Sequence, residues 1–228
     1  MLPLNDTEPN RYSIFPFMTL LLIVTNTAIM VWELSLPSEV LRAVFWVFGM
    51  MPASIMARDG AGAISSITST FMHVDIFHLV GNMLFLWVFG RRVEDACGPL
   101  RFLLYYLIAG TTAGLLTTAI LPSMEIPGIG ASGAISGIMG AYLMLFPAGR
   151  IRTLVFIFIV PTWPRIRAAW FLLYYLIIQI PPAIDIYLNG ANYGVGYWAH
   201  LGGFFACFFV LLFLRPEAFA RYLSDVPV

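Results

Sequence analysis

Six apolar stretches, each close to the length of a bilayer-crossing helix, limit what this chain can fold into. They run at about 14–34, 77–95, 100–121, 131–147, 167–185 and 196–214. Roughly 20 apolar residues in a helix cross the hydrocarbon layer of a membrane. Of the 228 residues only 11% are charged, against roughly 25% in a soluble domain. Water is therefore excluded as the main solvent, and the expectation is an all-α membrane protein, a bundle of six transmembrane helices in one domain spanning 1–228. Two further apolar segments fit a span less well. The stretch 40–57 holds Arg42 and Pro52 and reads as an interfacial helix, and 151–161 is too short to cross and ends in Pro161-Thr162-Trp163-Pro164, so it belongs at the surface.

All basic residues are arginine, and their places give an orientation. Arg91, Arg92 and Arg101 lie between the second and third stretches, Arg150, Arg152, Arg165 and Arg167 between the fourth and fifth, and Arg215 and Arg221 after the sixth. The alternate loops hold only Arg42 and Arg58. The positive-inside rule then puts both termini in the cytoplasm and the long 35–76 loop outside. No cleavable signal pattern precedes the first stretch, which is expected to act as the insertion signal itself. The absence of lysine and the compact chain lean towards a bacterial inner membrane. The formal net charge of +0 offers no nucleic-acid footprint. Cys97 and Cys207 have neither a disulfide framework nor metal-site spacing, so no cofactor or metal is implied.

Against this apolar background a few polar residues stand out. Gly130-Ala131-Ser132-Gly133 opens the fourth stretch, His78 and Asn82 lie four apart on the second, and His200 lies in Ala199-His200-Leu201-Gly202-Gly203 on the sixth. Ionisable groups at membrane depth are costly and point to function. Serine, imidazole and amide are the parts of an acyl-transfer site: nucleophile, general base and oxyanion donors. Ser132 at a helix start follows Pro127-Gly128-Ile129-Gly130, which lets the backbone bend tightly, and its own N–H is a candidate oxyanion donor. Gly133-x-x-x-Gly137 also makes a small-residue face for helix packing. Ser136, one turn on, competes for the nucleophile role, while Ser132 is favoured by its flanking glycines. His200 is the candidate base. His78 and Asn82 share one helix face and can donate to an oxyanion. His73, nearer the loop, reads as structural. Glu94 and Asp95 belong to the opposite end and Asp185 to the outer end of the fifth stretch. No acid completes a triad, so a dyad oriented by helix packing is the expectation.

These residues make the chain similar to the rhomboid family of intramembrane serine proteases. The resemblance runs from about Ile67 to Cys207, through Phe71-Met72-His73-Val74-Asp75-Ile76-Phe77-His78-Leu79-Val80-Gly81-Asn82, Phe89-Gly90-Arg91-Arg92-Val93-Glu94, Gly130-Ala131-Ser132-Gly133 and Ala199-His200-Leu201-Gly202-Gly203. It implies a six-helix rhomboid-like bundle with a water-filled cavity open to the outer side. It also implies Ser132 as nucleophile, His200 as base, and His78, Asn82 and the Ser132 backbone as oxyanion stabilisers. Two positions depart from the family pattern, and the Trp-Arg pair found in the first loop of some members is absent. Some members carry a tyrosine packing on the base where this chain has Ser136, and a second glycine where it has Cys207, which implies slightly wider helix spacing. The implied partners are transmembrane protein substrates, whose helix must unwind to expose a scissile carbonyl, and the lipid bilayer itself. The outward loop 186–196, rich in Gly and Asn (Asn189, Gly190, Asn192, Gly194, Gly196), is a candidate lid. A non-catalytic client binder lacks the Ser–His pair that this chain keeps, and a transporter should show matching broken repeats, which are not seen.

Overall fold

A computed structural model describes residues 1–7, 15–57, 61–191 and 194–214, with side chains at 61–63 and 212–214 excluded. Arg58, Asn192, Arg215 and Arg221, used above for orientation and for the lid, lie outside the described residues.

Each of the six apolar stretches is helical. Helix α1 is Phe17–Ser35. Next come α2 (Ser38–Phe48), α3 (Pro52–Met56) and α4 (Ala61–Thr68), running into a short 3-10 turn at Ser69–Phe71. The second stretch is α5 (Ile76–Phe85), a π-helical turn at Leu86–Gly90, and α6 (Arg91–Cys97). Then follow α7 (Pro99–Ile120), α8 (Ser132–Leu145), α9 (Ala168–Asn189) and α10 (Tyr197–Leu214). The surface stretch 40–57 becomes α2, with no buried residue, and α3.

Three helices, α1, α7 and α9, are long and apolar enough to cross a membrane, and a fourth crossing arises if Ile64–Phe71 and Ile76–Cys97, bent by 96°, count as one broken span. The expected count of six is therefore not reproduced by length. Helix α8 has 14 residues, so at about 1.5 Å per residue it covers roughly 21 Å of the ~30 Å hydrocarbon layer. Pro127, Gly128 and Gly130 keep the chain before it extended, and Pro147 follows its end.

The all-α expectation needs correction. A four-stranded sheet caps the bundle: β1 (Leu2–Asp6), β2 (Arg150–Ile157), β3 (Val160–Thr162) and β4 (Arg165–Arg167). Strand β2 pairs antiparallel with each of the others. The segment 151–161, expected only to lie at the surface, is thus a β-hairpin. Its alternation Arg150-Ile151-Arg152-Thr153 is the period-two pattern of a half-buried strand, with Ile151 and Thr153 inside.

Helix α8 is the centre of the bundle. Every residue in it is buried except Ser132 and Leu143, as befits a helix apolar on all sides. Its glycines admit neighbouring backbones. A Cβ on Gly133 would lie 2.7 Å from that of Ala113 on α7, and one on Gly137 would lie 2.8 Å from the Gly203 carbonyl of α10. Gly140 faces the Phe204 backbone, and Gly203 faces the Gly133 carbonyl. Cys207 does not force α8 and α10 apart: its Sγ sits beside Gly137 and donates to the Tyr105 carbonyl at 3.3 Å.

Helix α1 buries a single stripe, Thr19, Leu22, Asn26, Met30 and Glu33, leaving Val24, Val31, Trp32 and Leu34 exposed. Helix α1 has no side-chain cap of its own. Glu94 of α6 fills that role, accepting from the N–H groups of Met18 (2.8 Å) and Thr19 (2.7 Å) and from the Thr19 hydroxyl (2.7 Å). A carboxylate there meets the positive end of the helix dipole. Beside it, Arg92 pairs with Asp6 of β1 at 2.7 Å.

Candidate active site

The site forms where the N-terminal ends of α5, α8 and α10 converge. Ser132 is the first residue of α8, where the leading N–H groups have no intrahelical partner. The chain reaches it through Gly130, held at φ +132°, a conformation that side chains disfavour. A Cβ on Gly130 would also lie 2.7 Å from His78 Cε1, 2.9 Å from His78 Nε2 and 3.8 Å from Asn82 Nδ2. Glycine is required here for both reasons, and its absent side chain lets His78 and Asn82 reach the start of α8. The Gly130 N–H is anchored on the Ser69 carbonyl at 2.9 Å.

His200 lies in the first turn of α10 and is buried. Its Nε2 is 2.8 Å from Ser132 Oγ. The two residues stand 68 positions apart in sequence, and only the glycine-mediated contact of α8 with α10 brings them together. Ser136, the rival nucleophile, is engaged elsewhere: its Oγ donates to the Ser132 carbonyl at 2.8 Å, and the Tyr175 hydroxyl donates to it at 2.6 Å.

Helix α5 presents the amide and the second imidazole. Asp75 caps it, accepting from the His78 N–H at 2.8 Å. Asn82 is buried, with Nδ2 3.0 Å from His73 Nε2. One of its two N–H bonds is therefore spoken for and the other is left over. His73 and His78 meet edge to face at 5.2 Å. His73, read from the sequence as structural, holds Asn82 through its ring, while its backbone N–H donates to Glu33 Oε2 at 3.3 Å. His78 Nδ1 is buried without a hydrogen-bond partner.

Two residues on α9 escaped the sequence reading. Gln179 is buried, with Oε1 3.1 Å from His200 Nδ1. Tyr175, one helical turn earlier, lies 6.3 Å from the His200 ring at 33° between planes. It brings, from another helix, an aromatic ring to the base where the chain has Ser136, and Tyr197 meets the His200 ring edge to face at 6.3 Å. A polar Gln179 amid Leu176, Ile177, Ile178 and Ile180 was the available signal. Asp185 binds Asn189 on the exposed end of α9, and Glu94 caps α1, so neither approaches His200. Among the described residues no group of three metal-ligating side chains occurs.

The expected lid is shorter than 186–196, because α9 continues to Asn189 and ends on Gly190 at φ +65°. A cleft of about 320 Å³ lined by Ala119, Ile120, Tyr187 and Trp198 lies beside α10, two residues from His200.

A family model for the Rhomboid domain matches residues 61–217, which include every residue of this site. The chain belongs to the rhomboid family. Among curated rhomboid relatives, Rhomboid protein 1, mitochondrial, of Saccharomyces cerevisiae is 38% identical over 102 residues, covering 43% of this chain and 29% of that protein. Rhomboid protease GluP of Bacillus subtilis is 42% identical over 103 residues, 45% of this chain and 19% of its own. Rhomboid-like protein 11, chloroplastic, of Arabidopsis thaliana is 35% identical over 79 residues, 35% of this chain and 28% of its own. The matches thus span less than a third of each of these rhomboid relatives. With the membrane-length helices, they make this an integral membrane protein. Mitochondrial and chloroplast rhomboids stand beside a bacterial one, so the leaning towards a bacterial inner membrane gains no support.

Proposed function

We propose that this chain is an intramembrane serine endopeptidase hydrolysing peptide bonds in or beside transmembrane helices of other proteins. The observation that carries the reading is the 2.8 Å approach of Ser132 Oγ to His200 Nε2 at the N-terminus of a buried helix. Ser132 donates its proton to Nε2 as it attacks the scissile carbonyl, and His200 returns that proton to the leaving amine; a water that gives its proton to Nε2 then attacks the acyl ester, and the proton passes back to Ser132 as the acid leaves. Because Nε2 accepts, Nδ1 carries the ring's hydrogen and donates it to Gln179 Oε1. Gln179 is thus a positioning residue that fixes the tautomer and the ring plane, a task that falls to a carboxylate in the Ser-His-Asp arrangement. The proposed oxyanion donors are the Ser132 N–H, the spare N–H of Asn82 and the His78 imidazole, and losing one such donor costs about 3–4 kcal/mol in the barrier.

In this reading α8, too short to cross the bilayer, starts below one membrane face, and the six helices form the family's bundle in a single membrane domain. The arginine distribution puts the site end outside and both termini in the cytoplasm. The shortened loop 190–196 remains the proposed lid.

The test is fluorophosphonate labelling of the full chain in detergent. Wild type and Ser136→Ala should label, and Ser132→Ala and His200→Ala should not. Failure of folded wild type to label, or labelling that survives Ser132→Ala, would reject the dyad.

A further inference from the structure

The sheet that closes the bundle carries a charge pattern that the protease reading does not use. Strands β2 and β4 pair Arg150 with Arg167 and Arg152 with Arg165 in direct cross-strand register. All four side chains are exposed on one face. Like charges directly opposite each other destabilise a sheet, so the arrangement calls for a counter-charge. Among the described residues none of the four makes an ion pair. The sheet's one carboxylate, Asp6 of β1, lies on the opposite face, buried and paired with Arg92.

The same hairpin continues past the arginines into an apolar tip. Phe156, Ile157, Phe158, Ile159 and Val160 are all exposed, Phe158 at 96% and Ile159 at 90%. Such a run in water is an aggregation hazard. Its location removes the difficulty. Arg167 immediately precedes Ala168, the first residue of the membrane-length helix α9, so the arginine rungs lie within a few residues of the bilayer boundary. Each strand residue advances about 3.3 Å, which gives β2 the reach to lay its tip along the membrane surface.

We propose that this hairpin is an interfacial anchor for anionic phospholipid, with the tip seated in the headgroup and upper acyl region and the four guanidinium groups holding lipid phosphates. Planar guanidinium groups suit phosphate oxygens. Exposed apolar side chains beside a cationic face are what binding to an anionic leaflet requires. The hairpin avoids the bilayer core, where its unpaired strand edges would be costly.

The experiment uses the full chain in nanodiscs of phosphatidylcholine alone or with phosphatidylglycerol, carrying an environment-sensitive dye at Phe158→Cys in a Cys97→Ser background. Cys207 is buried and does not compete for the dye. Dye emission should shift to the blue in discs of either composition, and lipids brominated near the headgroup should quench it. In mixed discs the protein should enrich phosphatidylglycerol around itself several-fold, and Arg150→Gln with Arg152→Gln, Arg165→Gln and Arg167→Gln should remove most of that enrichment while the dyad's labelling persists. Millimolar inorganic phosphate should not displace the lipid; displacement would mean a free-phosphate site and overturn the proposal. A dye that stays water-exposed in discs, leaving the tip free for a protein partner, would overturn it, as would undiminished enrichment in the arginine variant.

Discussion

Replacing Gln179 with leucine tests the proposed site most sharply, because it removes a single hydrogen bond and nearly conserves volume. In the native arrangement His200 Nδ1–H donates to Gln179 Oε1 at 3.1 Å, with both residues buried. With leucine in place the donor faces an apolar wall, and an unsatisfied buried donor costs about 1–3 kcal/mol. The ring can escape that cost by rotating or by moving its hydrogen to Nε2, and both lose the acceptor that Ser132 needs. The cost therefore falls on the reactive state. At about 1.4 kcal/mol per tenfold, the maximal rate of fluorophosphonate acylation should fall about 5- to 140-fold, with the concentration for half-maximal rate little changed. Thermal unfolding should stay near wild type, since α9 gains an apolar side chain among its own. Gln179→Glu, which keeps an acceptor at the same reach, should recover most of the rate. A folded Gln179→Leu protein that acylates at the wild-type rate would refute the positioning role, and so would a defect confined to probe affinity.

The other predictions concern the frame. Gly203→Ala sets a Cβ against the Gly133 carbonyl, an obstacle of backbone that cannot swing aside, so stability should drop by about 1–3 kcal/mol and labelling should fall with it; unfolding in mild detergent reads this directly. Gly130→Ala combines a disfavoured φ of +132° with a Cβ 2.7 Å from His78 Cε1, and should lower the acylation rate more than it lowers the unfolding midpoint. Glu94→Ala strips three hydrogen bonds from the start of α1 and should cost about 2–3 kcal/mol, with Glu94→Gln milder; an unchanged midpoint for the alanine variant would show that α1 needs no such cap.

Much of this was legible in the sequence, for reasons that differ by element. Helices form at all six apolar stretches, because a segment in lipid must satisfy its backbone internally, but only three, or four with the bent pair, reach membrane-crossing length. Ser132 and His200 stand out in the sequence because a polar group at membrane depth needs a reason. Against Ser136 stands the Tyr175 hydroxyl on its Oγ, a contact that no sequence spacing announces. What stayed hidden depends on contacts between helices. Gln179 sits 21 residues from His200, and no spacing rule connects positions on different spans. The hairpin was missed because its apolar residues were weighed against span length and not against period two. Glu94 was placed at the correct end of the second stretch, yet its role at α1 lies 75 residues away.

The long segment between α1 and α5 has a physical role that its exposed surface hides. In this reading α8 starts below a membrane face, so the irregular chain that leads to Ser132 must lie at depth, where each unsatisfied backbone group costs several kcal/mol. That chain finds its partners in the 35–76 segment. The N–H of Met50 donates to the Gly128 carbonyl at 2.9 Å, and the Gly128 N–H returns a bond to Met50 at 2.7 Å. The Ala53 N–H donates to the Met124 carbonyl at 3.2 Å, and the Gly130 N–H reaches Ser69. The Thr68 hydroxyl in turn donates to the carbonyl of Phe48, tying the end of α4 back to α2. The segment thus supplies the hydrogen bonds that water would otherwise have to bring. On the proposed function, a serine at the head of a short helix can react in an apolar protein because a neighbouring loop, and not solvent, satisfies the backbone that delivers it.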